Sequence, residues 1–141
     1  MFDRARILIV EDDPQQAELL ADRVEACDGS VIGPFSSFRE TERYIETSRA
    51  PDGAILDFRL ADGEVTPIAT HLLTRGVPVV ICAGAYVPDR LRTFAPHLAY
   101  MPKPVGIDEV LVRLNEMIQE SRRSARPTVR RRPERRDAAK E

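Results

Sequence analysis

Residues 6–13 read RILIVEDD. Four consecutive aliphatics, Ile7 to Val10, with no polar alternation fit a strand covered on both faces, as the central strands of a parallel sheet are. Three acidic residues follow at once. The same kind of run recurs as GAILD at 53–57 and PVVIC at 78–82, with weaker strand patterns in SVIG at 30–33 and LAYM at 98–101. Between these runs the spacing becomes that of one-sided helices: Ala17, Leu20, Val24 and Cys27 recur every three or four positions, as do Leu111, Leu114 and Ile118. The chain therefore repeats a βα unit.

Helix punctuation agrees with this division. Ser37 with Glu40 three residues on is a capping box for the second helix. Thr66 followed by Pro67 reads as an N-cap and a first-turn proline for the third, which Gly76 closes. Gly106, Asp108 and Glu109 open the last helix with negative charge at its positive end. Pro88 and Pro96 confine the fourth to about two turns, Val87 to Ala95. Five strands and five helices in strict alternation, with right-handed crossovers, predict a doubly wound α/β domain of three layers around a five-stranded parallel sheet.

The chain has 141 residues, of which 43% are apolar and 31% charged, the composition of one water-soluble domain. No apolar run approaches the roughly 18 to 20 residues of a bilayer span, and the opening run is too short for a signal-peptide core, so a cytoplasmic location is expected. Charge divides the chain unevenly. Residues 121–141 hold nine basic and three acidic side chains, a net +6, whereas residues 1–120 hold twelve and twenty, a net −8. With Pro127, Pro133 and no apolar periodicity, the end of the chain cannot bury enough surface to offset its entropy. The expected division is a folded domain over 1–121 and a disordered, arginine-rich tail over 122–141. Cys27 and Cys82 have no zinc-type spacing and read as core residues. His71 and His97 have no ligand-spaced neighbours and read as solvated.

In a doubly wound sheet, side chains that act on ligands gather beyond the C-terminal strand ends. Glu11, Asp12 and Asp13 follow the first strand, Asp57 closes the third and Lys103 follows the fifth. With strands ordered 2-1-3-4-5, the first and third are neighbours and these groups surround one cleft. Clustered carboxylates repel unless a cation intervenes, and Mg²⁺ suits an oxygen-only set that leaves room for phosphate oxygens. One carboxylate can then attack phosphorus while the ion and Lys103 screen the developing charge. Asp57, central at a strand end, is the candidate nucleophile; the Asp12 and Asp13 pair is better placed for metal.

Four segments together, ILIVEDD at 7–13, AILDFRLADG at 54–63, PVVICAGA at 78–85 and YMPKPV at 100–105, resemble the receiver domain of two-component response regulators. The resemblance covers about residues 5–120 and implies a flavodoxin-like sandwich. It also implies a single-domain regulator that accepts a phosphoryl group from a histidine kinase or phosphotransfer protein. By resemblance Asp57 is the phosphoacceptor, Asp12 and Asp13 bind Mg²⁺ together with Asp57 and the backbone carbonyl of Arg59, and Lys103 contacts the phosphoryl group. Pro104 matches a cis-proline position and Tyr100 the aromatic that changes rotamer on activation. Such a protein is not an enzyme in the ordinary sense, although it assists its own phosphorylation and dephosphorylation.

One position departs from the pattern. Where the family usually has Thr or Ser at the end of the fourth strand, this chain has Ala83, so no hydroxyl can follow the phosphoryl group and only backbone at Ala83 or Gly84 can bind it. The alternative function is a binding or scaffold module with a receiver fold, acting through its basic tail on nucleic acid, an anionic membrane or its own acidic body. A phosphatase of the haloacid dehalogenase type is disfavoured, because Asp57-Phe58-Arg59 lacks the second Asp of a DxD pair. The sequence leaves the output partner and homodimer formation open.

Overall fold

The structure is a computed structural model that describes residues 1–84, 89–94 and 97–125. Strands β1 (Arg6–Val10), β2 (Ser30–Phe35), β3 (Gly53–Asp57), β6 (Val79–Ala83) and β7 (Leu98–Pro102) form one sheet, and β4 (Arg59–Leu60) with β5 (Gly63–Glu64) forms a small separate ribbon. The main sheet is ordered β2-β1-β3-β6-β7 and is parallel throughout, which is the predicted 2-1-3-4-5 order of its five strands in chain sequence. The helices are α1 (Pro14–Ala26), α2 (Phe38–Thr47), α3 (Thr66–Thr74) and α4 (Ile107–Ala125), with a 3-10 helix over Asp89–Phe94.

The unbroken aliphatic runs are explained by two cores, one on each face of the sheet. Successive side chains of β1 alternate between them. Leu8 and Val10 join Leu56, Ile81, Ile68, Leu72 and Leu91 on the face of α2, α3 and the 3-10 helix. Ile7 and Ile9 join Ile55, Val80, Leu20, Val24, Leu111 and Leu114 on the face of α1 and α4. Every residue of β3 and β6 is buried, so these strands have no polar face to show in sequence.

Five local readings need correction. The predicted α-helix over Val87 to Ala95 is a 3-10 helix in its described part, pinned by the fully buried Leu91; two prolines leave too little chain for a regular α-helix. Val65, not Thr66, is the N-cap of α3, without a side-chain cap bond, and Thr66 and Pro67 lie inside its first turn. Strand β2 continues through a cis Gly33-Pro34 bond to Phe35, because β2 is an edge strand where a missing N–H is tolerated. Helix α4 continues past Ser121 to Ala125, with Arg122 and Arg123 in its last turn. His71 is half-buried rather than solvated, and its Nε2 has no hydrogen-bond partner among the described residues. The expectation of disorder over residues 126–141 lies outside the described residues.

Candidate functional site

The site lies where the middle strands end. Val10 and Leu56 are register partners, so the next residues, Glu11 and Asp57, leave β1 and β3 side by side. Glu11 N–H donates to the Phe35 carbonyl at 2.9 Å and Phe58 N–H to the Cys82 carbonyl at 3.1 Å, which anchors both strand ends to their neighbours. Lys103 is held from the other side, its N–H donating to the Ala83 carbonyl at 2.8 Å. The Lys103–Pro104 bond is cis, as the resemblance implies.

These anchors bring Lys103 Nζ to 2.9 Å from Asp57 Oδ1, with the Asp57 side chain only 10% exposed and that of Lys103 41%. Carboxylate oxygens of Glu11, Asp12 and Asp57 all lie within 4.8 Å of one another. Burial raises the pKa of Glu11, and the charges of Asp57 and Asp12 add to this against the Asp13 N–H and Lys103, which lower it. Burial works to lower Lys103, but its hydrogen bond and ion pair with Asp57 outweigh that, so Lys103 stays firmly an ammonium. Beside them Cys82 is buried and its thiol is pushed up to about 11, principally by desolvation, so it is a neutral wall of the site. Asp57 opens onto a pocket of about 310 Å³ whose other walls are Phe58, Arg59, Ala83, Gly84 and Lys103.

No protein-family model and no curated protein matches the sequence. Solved structures do. The non-phosphorylated HemR receiver domain from Leptospira biflexa is 28% identical, with a TM-score of 0.68 over 94% of this chain and 100% of that one. A CheY-like response regulator receiver domain from Methanospirillum hungatei JF-1 is 25% identical, with a TM-score of 0.70 over 86% and 99%. The BeF3-activated DrrB receiver domain is 18% identical, with a TM-score of 0.66 over 82% and 98%. The chain has the fold of a response-regulator receiver domain.

Within this fold the acidic set differs from the expected one by a single residue. Asp13 is absent from the cluster and Glu11 takes its place. Asp13 is the N-cap of α1: its Oδ1 accepts from Gln15 N–H at 3.0 Å, and its own N–H donates to Glu11 Oε2 at 3.1 Å. One Asp13 oxygen is thus committed to capping the helix N-terminus. The sequence did carry the signal that separates the three acids, since Asp13 precedes Pro14, and Asp-Pro at a helix start reads as N-cap followed by N1.

The remaining expected residues line the pocket or the sheet beside it. Ala83 is buried at the pocket edge and Gly84 beside it is open, so backbone is what this wall presents. Tyr100, opposite Ile81 in the sheet, is 40% exposed. Arg59 is exposed on β4 and pairs loosely with Glu64, at 4.0 Å. The ribbon that carries Arg59 was not foreseen, because two strands of two residues each leave no periodicity to read.

Proposed function

We propose that this domain is a phosphoryl-accepting response regulator of two-component signal transduction, with Asp57 as the acceptor and a histidine kinase or phosphotransfer protein as the donor. One observation carries the proposal. Asp57 sits buried between the Lys103 ammonium at 2.9 Å and two further carboxylates within 4.8 Å, and still faces an open pocket.

The donor set fits a hard divalent cation. Glu11, Asp12 and Asp57 offer only oxygen, they repel one another, and burial already holds Glu11 toward its protonated form. These three would hold Mg²⁺, with the Arg59 carbonyl as the backbone ligand the resemblance implies. When bound, the ion supplies positive charge that screens the carboxylates and the phosphoryl oxygens. Asp57 Oδ attacks phosphorus, forming an O–P bond, while the bond from phosphorus to the donor imidazole nitrogen breaks and its electron pair leaves with the nitrogen. Lys103 then exchanges its hydrogen bond from the carboxylate to a phosphoryl oxygen. With no hydroxyl at position 83, the nearest further donors are the N–H groups of Ala83 and Gly84. The domain is a carrier of a phosphoryl group that assists its own loading and release.

Incubation with acetyl phosphate and Mg²⁺, followed by rapid acid quenching and mass spectrometry, should add one phosphoryl group, and Asp57→Asn should abolish the addition. The activated state of DrrB motivates beryllofluoride as a second probe. A chain that gains no Asp57-dependent mass and shows no response to Mg²⁺ with beryllofluoride would overturn the proposal.

A further inference from the structure

Beyond Asp57 the chain turns through β4, a two-residue tip at Ala61 and Asp62, and β5, with Arg59 opposite Glu64 and Leu60 opposite Gly63. The base of this ribbon is fixed: Val65 N–H donates to the Phe58 carbonyl at 2.8 Å, and Phe58, Leu60 and Val65 are buried in the core. Its tip is fixed as well, but to a different element. Asp62 Oδ1 accepts from Phe38 N–H at 2.7 Å and Oδ2 from Arg39 N–H at 3.2 Å. Those are first-turn amides of α2, which have no partner within the helix.

Helix α2 also has a local cap of its own. Ser37 Oγ accepts from Glu40 N–H at 3.1 Å, and Glu40 Oε1 receives the Ser36 N–H at 3.4 Å. The Asp62 contact is additional and comes from 23 and 24 residues away, out of the loop that forms one wall of the phosphoacceptor pocket. The Phe38 N–H holds the Asp62 carboxyl below its ordinary value, with the Arg39 N–H adding to the effect, so Asp62 is charged whenever the fold is intact near neutral pH. Arg59 stands between the buried base and the tethered tip.

We infer that Asp62 is a positioning residue of the phosphoacceptor site, which ties the loop carrying Arg59 to the first turn of α2 so that occupancy of the acidic cluster and the state of that turn report on each other. The inference rests on the phosphoacceptor reading above. It gives the domain a route outward that does not need a hydroxyl at position 83 or a rotation of Tyr100, and linkage makes the route reciprocal.

The experiment is a Mg²⁺ titration, then addition of beryllofluoride, of the ¹⁵N-labelled full chain and of Asp62→Ala, Asp62→Asn and Ser37→Ala. In the parent, the Phe38 and Arg39 amide signals should shift along the same isotherm as those around Asp57. Asp62→Ala should weaken Mg²⁺ binding on the order of tenfold, as loss of an outer support of a metal site does, and should abolish the α2 response. Asp62→Asn keeps one acceptor oxygen and should fall between the two. Ser37→Ala, which weakens the helix start without touching the tether, should lower thermal stability and leave Mg²⁺ affinity unchanged. Unaltered affinity in Asp62→Ala, or an equal loss in Ser37→Ala, overturns the positioning role while leaving the phosphoacceptor reading intact. A parent chain that binds no Mg²⁺ overturns both.

Discussion

At Glu11 the needs of the fold and of the cleft diverge. Burial raises its pKa and the charges of Asp57 and Asp12 raise it further, so the folded state holds a proton on Glu11 more readily than the unfolded chain does. A carboxyl raised above its unfolded value costs stability at neutral pH. That cost fades as pH falls through the raised value toward the ordinary 4.5. Glu11→Gln should therefore increase stability in metal-free buffer by on the order of 1 kcal/mol, as relief of a strained functional group commonly does. It should weaken Mg²⁺ binding, and denaturant midpoints with and without Mg²⁺ separate the two effects; lower stability in both buffers would refute this account. Ala83→Thr tests the other departure. A hydroxyl donating to a charged phosphoryl oxygen is worth roughly 1.5 to 3 kcal/mol, so beryllofluoride affinity should rise at least about tenfold, with larger shifts at Tyr100. Equal responses in parent and variant would show that backbone at Ala83 or Gly84 already fills that place. Asp57, Lys103 and the acidic run were legible in sequence because each terminates an apolar strand. Which two of the three consecutive acids join Asp57 was marked only by Asp13-Pro14, an N-cap followed by N1.

Strands and helices were most legible where burial is two-sided and least where an element lies at an edge. GAILD and PVVIC mark the central strands almost to the residue, because every residue of β3 and β6 is buried. The edge strand β2 runs two residues beyond its expected end, and its register slips between Leu8 and Val10, where Gly33 and Pro34 stand against Ile9 alone. Such a bulge leaves no hydrophobic signature, but it depends on Gly33. That residue has φ +96°, and a Cβ there would lie 2.6 Å from the backbone nitrogen of Phe35. Gly33→Ala should then destabilise the domain by about 2 kcal/mol through backbone strain, read as a lowered denaturant midpoint. Because Glu11 N–H donates to Phe35 just beyond the bulge, the same variant should also weaken Mg²⁺ binding. A midpoint within error of the parent would mean that the edge strand relaxes freely. The Asp62 tether was invisible for a related reason: a side chain reaching another element 24 residues away has no local pattern.

On the scale of the whole molecule, the two cores end early. Among the described residues their last member is Ile118. The end of α4 is joined to the body by the pair of Arg122 with Asp3, at 3.7 Å and largely exposed, a kind of contact typically worth less than about 1 kcal/mol. Residues 126–141 add seven basic and three acidic side chains, while residues 1–125 hold fourteen basic and twenty acidic. Removing residues 126–141 should accordingly leave the melting temperature unchanged, since every core residue among the described residues is kept. Polyanion binding should respond in the opposite way. The full chain should bind nucleic acid or anionic vesicles weakly at low salt through its only strongly basic stretch, with an affinity that falls steeply as ionic strength rises. The truncated chain, acidic overall, should not bind either. Melting curves and binding isotherms at two salt concentrations test both halves together. A truncated chain that melts earlier would place structural support beyond Ala125, and one that still binds polyanions would move the basic surface onto the domain itself.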